Sequence, residues 1–417
     1  MNAHDPTQVD PVWLRGMTRR RISRRDLFKY AGTGAGALGL AAFLEACGVS
    51  GTQPAAPPSE VGTPAWWAKQ KQAGELNFAN WGYYIDVKKG RHPSIDRFTQ
   101  QTGISVKYQE VINDNYEFLS IIRPTLQAGQ DTGYDAMVLT TNSPVLDLVI
   151  HSFKWAIPLD HSLTPNFNAN ADSAIKNPPW DPGNKYTMAW QTGLTAIGYN
   201  PKLTGREITS VKDLFDPKFA GHVGMMDDPQ ELGSVGLLAI GVDPAGSTPD
   251  DWHQAADFLK KQKDAGIVRS YYGQPYINHL ENGDLWISQA WSGDVVQSQK
   301  SGYTDLKMVV PDEGGMQWTD NMMIPIHAQH PLDAIKYMDY VYDPYAAALI
   351  ADFITYVTPV PAARDVIMNQ LHDAVAANNP LIFPTPEMKA RFKQYYKFKD
   401  NAEADEWNSI FNPIAQG

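Results

Sequence analysis

The sequence predicts an α/β fold for most of this 417-residue chain. From residue 75 onward, short apolar runs of strand length alternate with segments of helical periodicity, which is the order found in α/β folds. Hydrophobic residues make up 43% of the chain and aromatic residues 11%, which supports a sizeable core and argues against disorder. At this length we expect two domains.

The elements can be assigned in order along the chain. Strands are predicted at 75–79, 104–111, 135–139, 194–199, 223–226, 285–290, 306–310 and 322–325. A helix is predicted at 95–101, where the pattern is amphipathic and Gly103 follows as a stop signal. From residue 332 the pattern is helical to the end, with breaks near Pro359, Pro380 and Pro384.

The N-terminal segment resembles an export signal of the twin-arginine type. Arg24 and Arg25 precede an uncharged stretch that is shorter than the roughly 20 residues needed to cross a bilayer. Residues 44–47 resemble a bacterial lipobox, whose cysteine is acylated and becomes the new N-terminus. The resemblance implies that residues 1–46 are a signal peptide and that Cys47 carries lipid. The mature protein would then lie in the periplasm or on the outer face of the cytoplasmic membrane.

Composition sets further limits on the mature protein. Residues 47–74 are rich in proline and small polar residues without an apolar period, so we predict a flexible tether there. Cys47 is the only cysteine, which excludes an intramolecular disulfide and a cysteine-ligated iron–sulfur cluster. The formal net charge of −11 argues against nucleic acid as a partner, because phosphate binding needs basic surfaces.

Aromatic residues and carboxylates recur next to the predicted strands. The residues in this pattern are Trp81, Tyr84, Thr140, Asp228, Glu231, Trp291, Asp294, Trp318 and Asp320. Ligands of open α/β sheets bind at the carboxyl ends of strands, so these side chains are candidates for one site. Indoles and carboxylates suit an organic cation, because its ammonium groups need hydrogen-bonded acceptors and its charge lies favourably over aromatic faces.

The order and spacing of the motifs over residues 75–365 resemble the spermidine/putrescine-binding proteins of bacterial ABC importers. The motifs are Asn80-Trp81-x-x-Tyr84-Ile85, Tyr134-Asp135, Thr195-Ala196-Ile197-Gly198-Tyr199-Asn200, Asp228-x-x-Glu231, Trp291-x-Gly293-Asp294, Glu313-Gly314-Gly315 and Trp318-x-Asp320-Asn321. The resemblance implies a two-lobed type II periplasmic-binding fold with its ligand in the cleft between the lobes. It also implies a monomeric receptor without enzymatic activity or cofactor, which delivers a polyamine to a membrane permease.

The resemblance also implies roles for the candidate residues. Trp81 and Trp291 would form aromatic walls, and Asp228, Glu231 and Asp294 would bind ammonium groups. Tyr84, Thr140, Trp318 and Asp320 would be further lining. Lobe 1 is expected at 75–192 and 294–335, and lobe 2 at 193–293 and 336–417, with the chain crossing near 191–194 and again near 291–294. Tyr83 and Asn142 replace an acidic and an aromatic residue that are frequent in that family, which leaves the exact cation open.

Alternatives remain at the level of the sequence. Asp228 and Glu231 could serve only as a capping box of a helix that begins at Pro229, and Trp318 could be a core residue.

The ligand could be a sugar or another small organic solute. Ferric iron could be bound by the tyrosines at 83, 84, 271 and 272. A lyase or hydrolase using Asp228 and Glu231 as acid and base has no nucleophile or metal motif behind it. His327 and His330 lack a nearby carboxylate or cysteine partner in the sequence, so no metal site is expected.

Overall fold

The computed structural model describes residues 60–273 and 275–416, which belong to one structural unit. The predicted signal peptide, Cys47 and the first part of the predicted tether lie outside the described residues. Among the helices of the described ranges, none combines the length and the apolar character that crossing a bilayer requires.

Ten strands lie in the part of the chain that the structure describes. They are β1 (Glu75–Trp81), β2 (Ser105–Ile112), β3 (Ala136–Thr140), β4 (Thr187–Tyr199), β5 (Val223–Met226), β6 (Val268–Tyr272), β7 (Ile287–Trp291), β8 (Lys307–Val309), β9 (Gly315–Met323) and β10 (Phe392–Lys393). They form one mixed sheet with the order β2-β1-β3-β9-β4-β7-β5-β6, in which β8 also pairs with β4 and β10 with β9. This architecture confirms the predicted α/β fold.

Helices cover the sheet and connect its strands. They are α1 (Pro64–Trp67), α2 (Pro93–Thr102), α3 (Asn115–Gln127), α4 (Val145–Asp147), α5 (Pro165–Asn170), α6 (Pro201–Thr204), α7 (Pro229–Ala239), α8 (Pro249–Asp264), α9 (Tyr276–Glu281), α10 (Ser292–Lys300), α11 (Pro331–Tyr340), α12 (Pro344–Ile354), α13 (Ala363–Val366), α14 (Ala374–Ala377), α15 (Pro386–Lys389) and α16 (Asn401–Gln416). Short 3₁₀ turns lie at His161–Leu163, Ser173–Ile175, Pro182–Asn184, Val211–Phe215, Pro217–Phe219 and Pro244–Gly246, and π-helical turns at Leu148–Ser152 and Ile367–Leu371. Proline begins α2, α7 and α8, where its fixed φ and missing N–H suit a first helical turn.

The sheet consists of two parallel halves joined by two long strands. In the first half β1 pairs in parallel with β2 and β3, and in the second half β5 pairs in parallel with β6 and β7. The strands β4 and β9 run antiparallel to each other through the centre and belong to both halves. Since β9 is antiparallel to β3 and β4 is antiparallel to β7, the carboxyl ends of the two halves point toward each other.

Large aromatic side chains fill the core in both halves of the sheet. In the first half Phe78 of β1 packs at centroid distances of 5.6 Å from Trp190 and 5.4 Å from Tyr337. In the second half Trp407 of α16 lies 5.2 Å from Trp252 of α8. These side chains are fully buried and belong to one continuous hydrophobic core that extends through both halves.

The packing differs in detail from the predicted lobe boundaries. Helix α11 lies on the first half, where Tyr340 donates a hydrogen bond to the carbonyl of Ser94 at 2.9 Å. Val295 of α10 packs instead beside Ala290 in the second half. These contacts group α10 with the second half and α11 with the first, unlike the predicted division at 294 and 336. The second crossing predicted near 291–294 is made by β9, because Trp291 ends a strand that lies wholly in the second half.

The described part of the predicted tether is packed on the body. Trp67 at the end of α1 is only 3% exposed, and its indole N–H donates to the carbonyl of Pro158 at 2.9 Å. Thr63 caps the helix by accepting a hydrogen bond from the Trp66 N–H. The backbone N–H groups of Ala73 and Gly74 also donate to Asp333 at 3.0 and 2.7 Å, so the segment is held at both ends although its sequence has no apolar period that would predict packing. Residues 60–74 therefore do not form a free linker.

Candidate functional site

The candidate residues converge on the middle of β4 and β9. Thr140 ends β3 and lies opposite Asp320 of β9, while Trp291 ends β7 and lies opposite Thr195 of β4. Asp320 in turn lies opposite Gln191 of β4, four residues before Thr195. The carboxyl ends of both halves of the sheet thus approach the same short stretch of the central strands.

Asp320 is the acidic residue of the first half. It is 4% exposed and accepts a hydrogen bond from the Thr140 hydroxyl at 2.5 Å. The backbone N–H of Thr140 donates to Asn115 at 3.1 Å, which fixes the threonine. The buried phenol of Tyr84 is close enough to Asp320 for the negative charge to raise the tyrosine pKa, after the larger effect of burial. Burial raises the pKa of Asp320 to about 6.

Asp294 is held from the second half, in the first turn of α10. The buried hydroxyl of Tyr276 donates to it at 2.8 Å and accepts the backbone N–H of Trp291 at 2.8 Å. This relay positions the carboxylate beside the end of β7. Burial raises the pKa of Asp294 to about 6.

Glu231 lies deepest of the candidate carboxylates, at 1% exposure on the first turn of α7. Its Oε1 accepts hydrogen bonds from Thr195 at 2.9 Å and from Tyr395 at 2.7 Å. Its Oε2 is buried and accepts no well-formed hydrogen bond from the described residues, although the Trp291 side chain lies close enough to lower the pKa of Glu231 slightly. Burial, followed by the charge of Asp228, raises the pKa of Glu231 to about 8.

Asp228 caps α7, as the capping alternative predicts. Its Oδ1 accepts the backbone N–H groups of Gln230 and Glu231, both at 2.9 Å. Glu231 does not reach back to complete a capping box, because its oxygens point to Thr195 and Tyr395. Loss of solvation, followed by the opposing effect of these two backbone N–H groups, leaves the pKa of Asp228 raised to about 6, the same value as for Asp294 and Asp320. The side chain nevertheless keeps contact with solvent.

The three candidate tryptophans differ in their surroundings. Trp81 and Trp291 are partly exposed at the ends of β1 and β7, and the buried indole N–H of Trp81 has no acceptor. Trp318 is 8% exposed, and its indole N–H donates to Thr195 at 3.2 Å. Its ring lies against the backbone of Gly193, where an added Cβ would come within 2.0 Å of the ring. Trp318 is therefore largely a packing residue of the central strands.

Three tyrosines at the site were missed by the sequence reasoning. Tyr276 holds Asp294, Tyr395 holds Glu231, and Tyr356 lies near both Asp294 and Asp320, whose charges raise its pKa after burial. Tyr356 follows Thr355, which ends α12 with a positive φ of 62°, and it packs 5.5 Å from Tyr84. All three lie far from the motif-bearing strand ends in sequence, so no local signal marked them.

The candidate carboxylates have no cationic partner in the described ranges. Ion pairs there involve other acidic residues, and none includes Asp228, Glu231, Asp294 or Asp320. Around them lie buried polar atoms without hydrogen-bond partners, on Asn80, Trp81, Tyr84, Asn142, Ser143, Gln191 and Glu231. Burying negative charge is costly unless it is paired, so the chemistry of the site favours a cationic ligand with several hydrogen-bond donors.

The positions of the four tyrosines do not support the alternative of a ferric-iron site. Tyr84 follows β1, whereas Tyr271 and Tyr272 lie on β6, the edge strand at the other end of the sheet. Tyr83 is 56% exposed. Within the described ranges, no group of three or more His, Cys, Asp or Glu side chains is arranged to hold a metal ion.

A cavity of about 360 Å³ is lined by a different set of residues. It is lined by the segments around Asp172, Val357 and Pro380, and it includes none of the nine candidate residues. Its charged groups are already paired, since Lys389 donates to Asp172 at 2.9 Å and Arg364 donates to the carbonyl of Ala377 at 2.8 Å. We therefore place the candidate site at the central strands rather than in this cavity.

Comparisons with known proteins agree with this architecture. A family model described as "Bacterial extracellular solute-binding protein" matches residues 94–384. The chain is 28% identical over 313 residues to the spermidine/putrescine-binding periplasmic protein of Escherichia coli (strain K12), covering 75% of this chain and 84% of that protein. It is also 28% identical over 352 residues to the putrescine-binding periplasmic protein of the same organism, covering 79% and 87%. The fold is similar to that of the spermidine/putrescine ABC transporter substrate-binding protein of Streptococcus pneumoniae, with a TM-score of 0.71 and 23% identity over 82% of this chain and 99% of that one.

Proposed function

We propose that this chain, which belongs to the family of bacterial extracellular solute-binding proteins, captures a polyamine outside the cytoplasm and delivers it to the permease of an ABC importer. The relatives named for spermidine and putrescine support this ligand class. The observation that carries the proposal is the set of carboxylates without a cationic partner at the meeting point of the two sheet halves.

The arrangement suits an elongated cation with amino groups at separate positions. Asp320 comes from the first half of the sheet, whereas Asp294 and Glu231 come from the second. We propose that ammonium groups bind these three carboxylates and Asp228, while the partly exposed rings of Trp81 and Trp291 pack against the methylene groups. Tyr84 and Thr140 would orient the acceptor at Asp320, and Trp318 would support the central strands.

Calorimetric titration with putrescine, spermidine and a neutral hexose tests the proposal. We expect the polyamines to bind, the hexose to give no heat of binding, and polyamine affinity to fall as salt is raised. Binding of the hexose with salt-independent affinity would instead favour the alternative of a neutral organic solute. Absence of polyamine binding at millimolar concentration would rule out the cation receptor.

Variants of the buried carboxylates localise the site. Asp294→Asn and Asp320→Asn should each weaken polyamine binding by about 1.5 to 3 kcal/mol, the usual scale for a hydrogen bond to a charged group. Trp291→Ala should also weaken binding by removing an apolar, cation-attracting face. Asp257→Asn, at an exposed position on α8, is the matched control and should leave affinity unchanged. Unchanged affinity in both buried variants would place the ligand elsewhere.

We further propose that the protein is exported by the twin-arginine route and held at the membrane by lipid on Cys47, acting as a monomer. The sequence around Arg24 and Arg25 and the lipobox-like segment support this location. Cys47→Ser should release the protein into the soluble fraction without changing its melting temperature. Retention of this variant on membranes after a high-salt wash would contradict the lipid anchor.

A further inference from the structure

We propose that ligand capture by this protein is an exchange of cations, in which Glu231 carries a proton in the empty site and gives it up when an ammonium group arrives. The inference rests on the proposed function, because it requires a cationic ligand in this cleft. The proton leaves Oε2 of Glu231 for solvent, and the ammonium group keeps all of its own protons. The net charge of the site therefore rises by the charge of the ligand minus the one positive charge of the released proton.

The geometry of Glu231 is that of a carboxyl group with one unsatisfied oxygen. Oε1 accepts two hydroxyl hydrogen bonds, from Thr195 of β4 and from Tyr395. The residue is only 1% exposed, and Oε2 accepts no well-formed hydrogen bond from the described residues; the indole of Trp291 is the nearby group that partly stabilises the charge. A carboxylate here would bury negative charge that is incompletely hydrogen-bonded, whereas a protonated carboxyl is neutral and is less costly to bury.

No other group around Glu231 supplies the missing positive charge. Asp228 on the same helix is acidic, and Tyr116 near it is a neutral phenol whose pKa is raised by burial and by that same aspartate. Trp291 at the end of β7 and Tyr395 are uncharged, and Gln289 of β7 donates only to the main-chain carbonyl of Glu231. No lysine, arginine or histidine of the described ranges forms a hydrogen bond or ion pair with Glu231.

Asp320 and Asp294 differ from Glu231 in the hydrogen bonding of their oxygens. Asp320 accepts the Thr140 hydroxyl, Asp294 accepts the Tyr276 hydroxyl, and neither has an oxygen that is buried without a partner. The pKa of each is raised to about 6, whereas that of Glu231 is raised to about 8. The pKa of Asp228 is also raised to about 6, so at neutral pH the three aspartates are largely ionised and Glu231 is the main source of a released proton.

The sign of the pH dependence follows from linkage. Because the empty site holds more protons than the occupied site, raising the pH favours the occupied site. Affinity should rise by up to about tenfold per pH unit as the pH approaches about 8 and then level off. Putrescine is the best probe, since both of its amines stay protonated over this range.

Calorimetry of putrescine binding in buffers of different ionisation enthalpy measures the proton release directly. We expect about one proton released per ligand at pH 7 and about half a proton at pH 8. In Glu231→Gln, which mimics the protonated carboxyl, release at pH 7 should fall to about 0.3 proton, the remainder coming from Asp228, Asp294 and Asp320. Glu406→Gln, at an exposed position of α16, should match the wild type.

The outcomes separate the two proposals. Putrescine binding with a heat that does not depend on the buffer would overturn the exchange while leaving the receptor function in place. Release that is unchanged in Glu231→Gln would overturn the assignment to this residue. Failure of wild-type protein to bind putrescine or spermidine would overturn the function and the exchange together. The wild-type pH series needs no variant, so it remains informative if a substitution prevents folding.

Discussion

At the scale of single residues, Asp228 shows how a helix cap can coexist with the proposed contact to the ligand. Its Oδ1 accepts two backbone N–H groups of α7, and Oδ2 accepts no hydrogen bond from the described part of the chain. A carboxylate can therefore cap a helix with one oxygen and offer the other to a ligand. The motif predicted the cap because capping depends on residues three apart, but the side chain's exposure depends on the surrounding tertiary structure.

Two substitutions at Asp228 separate these roles. Asparagine is nearly as good an N-cap as aspartate, so Asp228→Asn should keep the melting temperature while weakening polyamine binding by about 1.5 to 3 kcal/mol. Asp228→Ala should lose the cap as well, at about 1 kcal/mol of folding stability. Thermal melts and titrations of both variants provide the measurement. An Asn variant with intact affinity would reduce Asp228 to a cap.

Three tyrosines near the candidate carboxylates could not be predicted from local sequence patterns. Tyr276, Tyr356 and Tyr395 reach the candidate carboxylates from α9, from the segment after α12 and from the region after β10. Their proximity depends on long-range packing, as in the hydrogen bond from Tyr395 to Glu231 across 164 positions of the chain. The carboxylates were predictable because they follow strands, whereas their supporting tyrosines have no such local marker.

At the scale of elements, the two central strands were the hardest to predict in full. Only residues 194–199 and 322–325 were predicted as strands, whereas β4 begins at Thr187 and β9 at Gly315. The missed portions contain the buried polar residues Gln191, Thr319 and Asp320, which interrupt the apolar pattern used to recognise strands. The buried polar side chains of the candidate site are thus the same residues that make these strands difficult to recognise from apolar periodicity.

Gly193 is expected to be critical for the packing of these strands. A Cβ at this position would lie 2.0 Å from the Trp318 ring, so Gly193→Ala must displace the indole or the strand. We expect a loss of about 1 to 3 kcal/mol in the free energy of unfolding, the scale of overpacking in a filled core. Denaturant unfolding measures this loss. Gly246→Ala, where no atom lies within 4 Å of the added Cβ, should change stability far less.

At the scale of the whole molecule, the α/β class and the strand-end location of the site were predictable, but the connections between halves were not. The sequence suggested a crossing near 291–294, whereas the chain crosses through β4, through β9 and beside Val357, which exchanges two backbone hydrogen bonds of 2.9 Å with Thr192. Which strands span both halves depends on antiparallel pairing between residues more than 100 positions apart, a long-range choice that local periodicity does not encode.

The three connections lead to a prediction about closure. Asp320 belongs to the first half and Asp294 to the second, so a ligand that binds both stabilises arrangements in which the halves are close together. A ligand shifts such an equilibrium only through its differential affinity for the two arrangements. We therefore expect saturating spermidine to reduce the radius of gyration measured by small-angle X-ray scattering. The Asp294→Asn/Asp320→Asn double variant, at the same spermidine concentration, should keep the radius of the free protein because it lacks an ammonium acceptor in each half. An unchanged radius for wild-type protein that calorimetry shows to be saturated would mean that the halves do not move on binding.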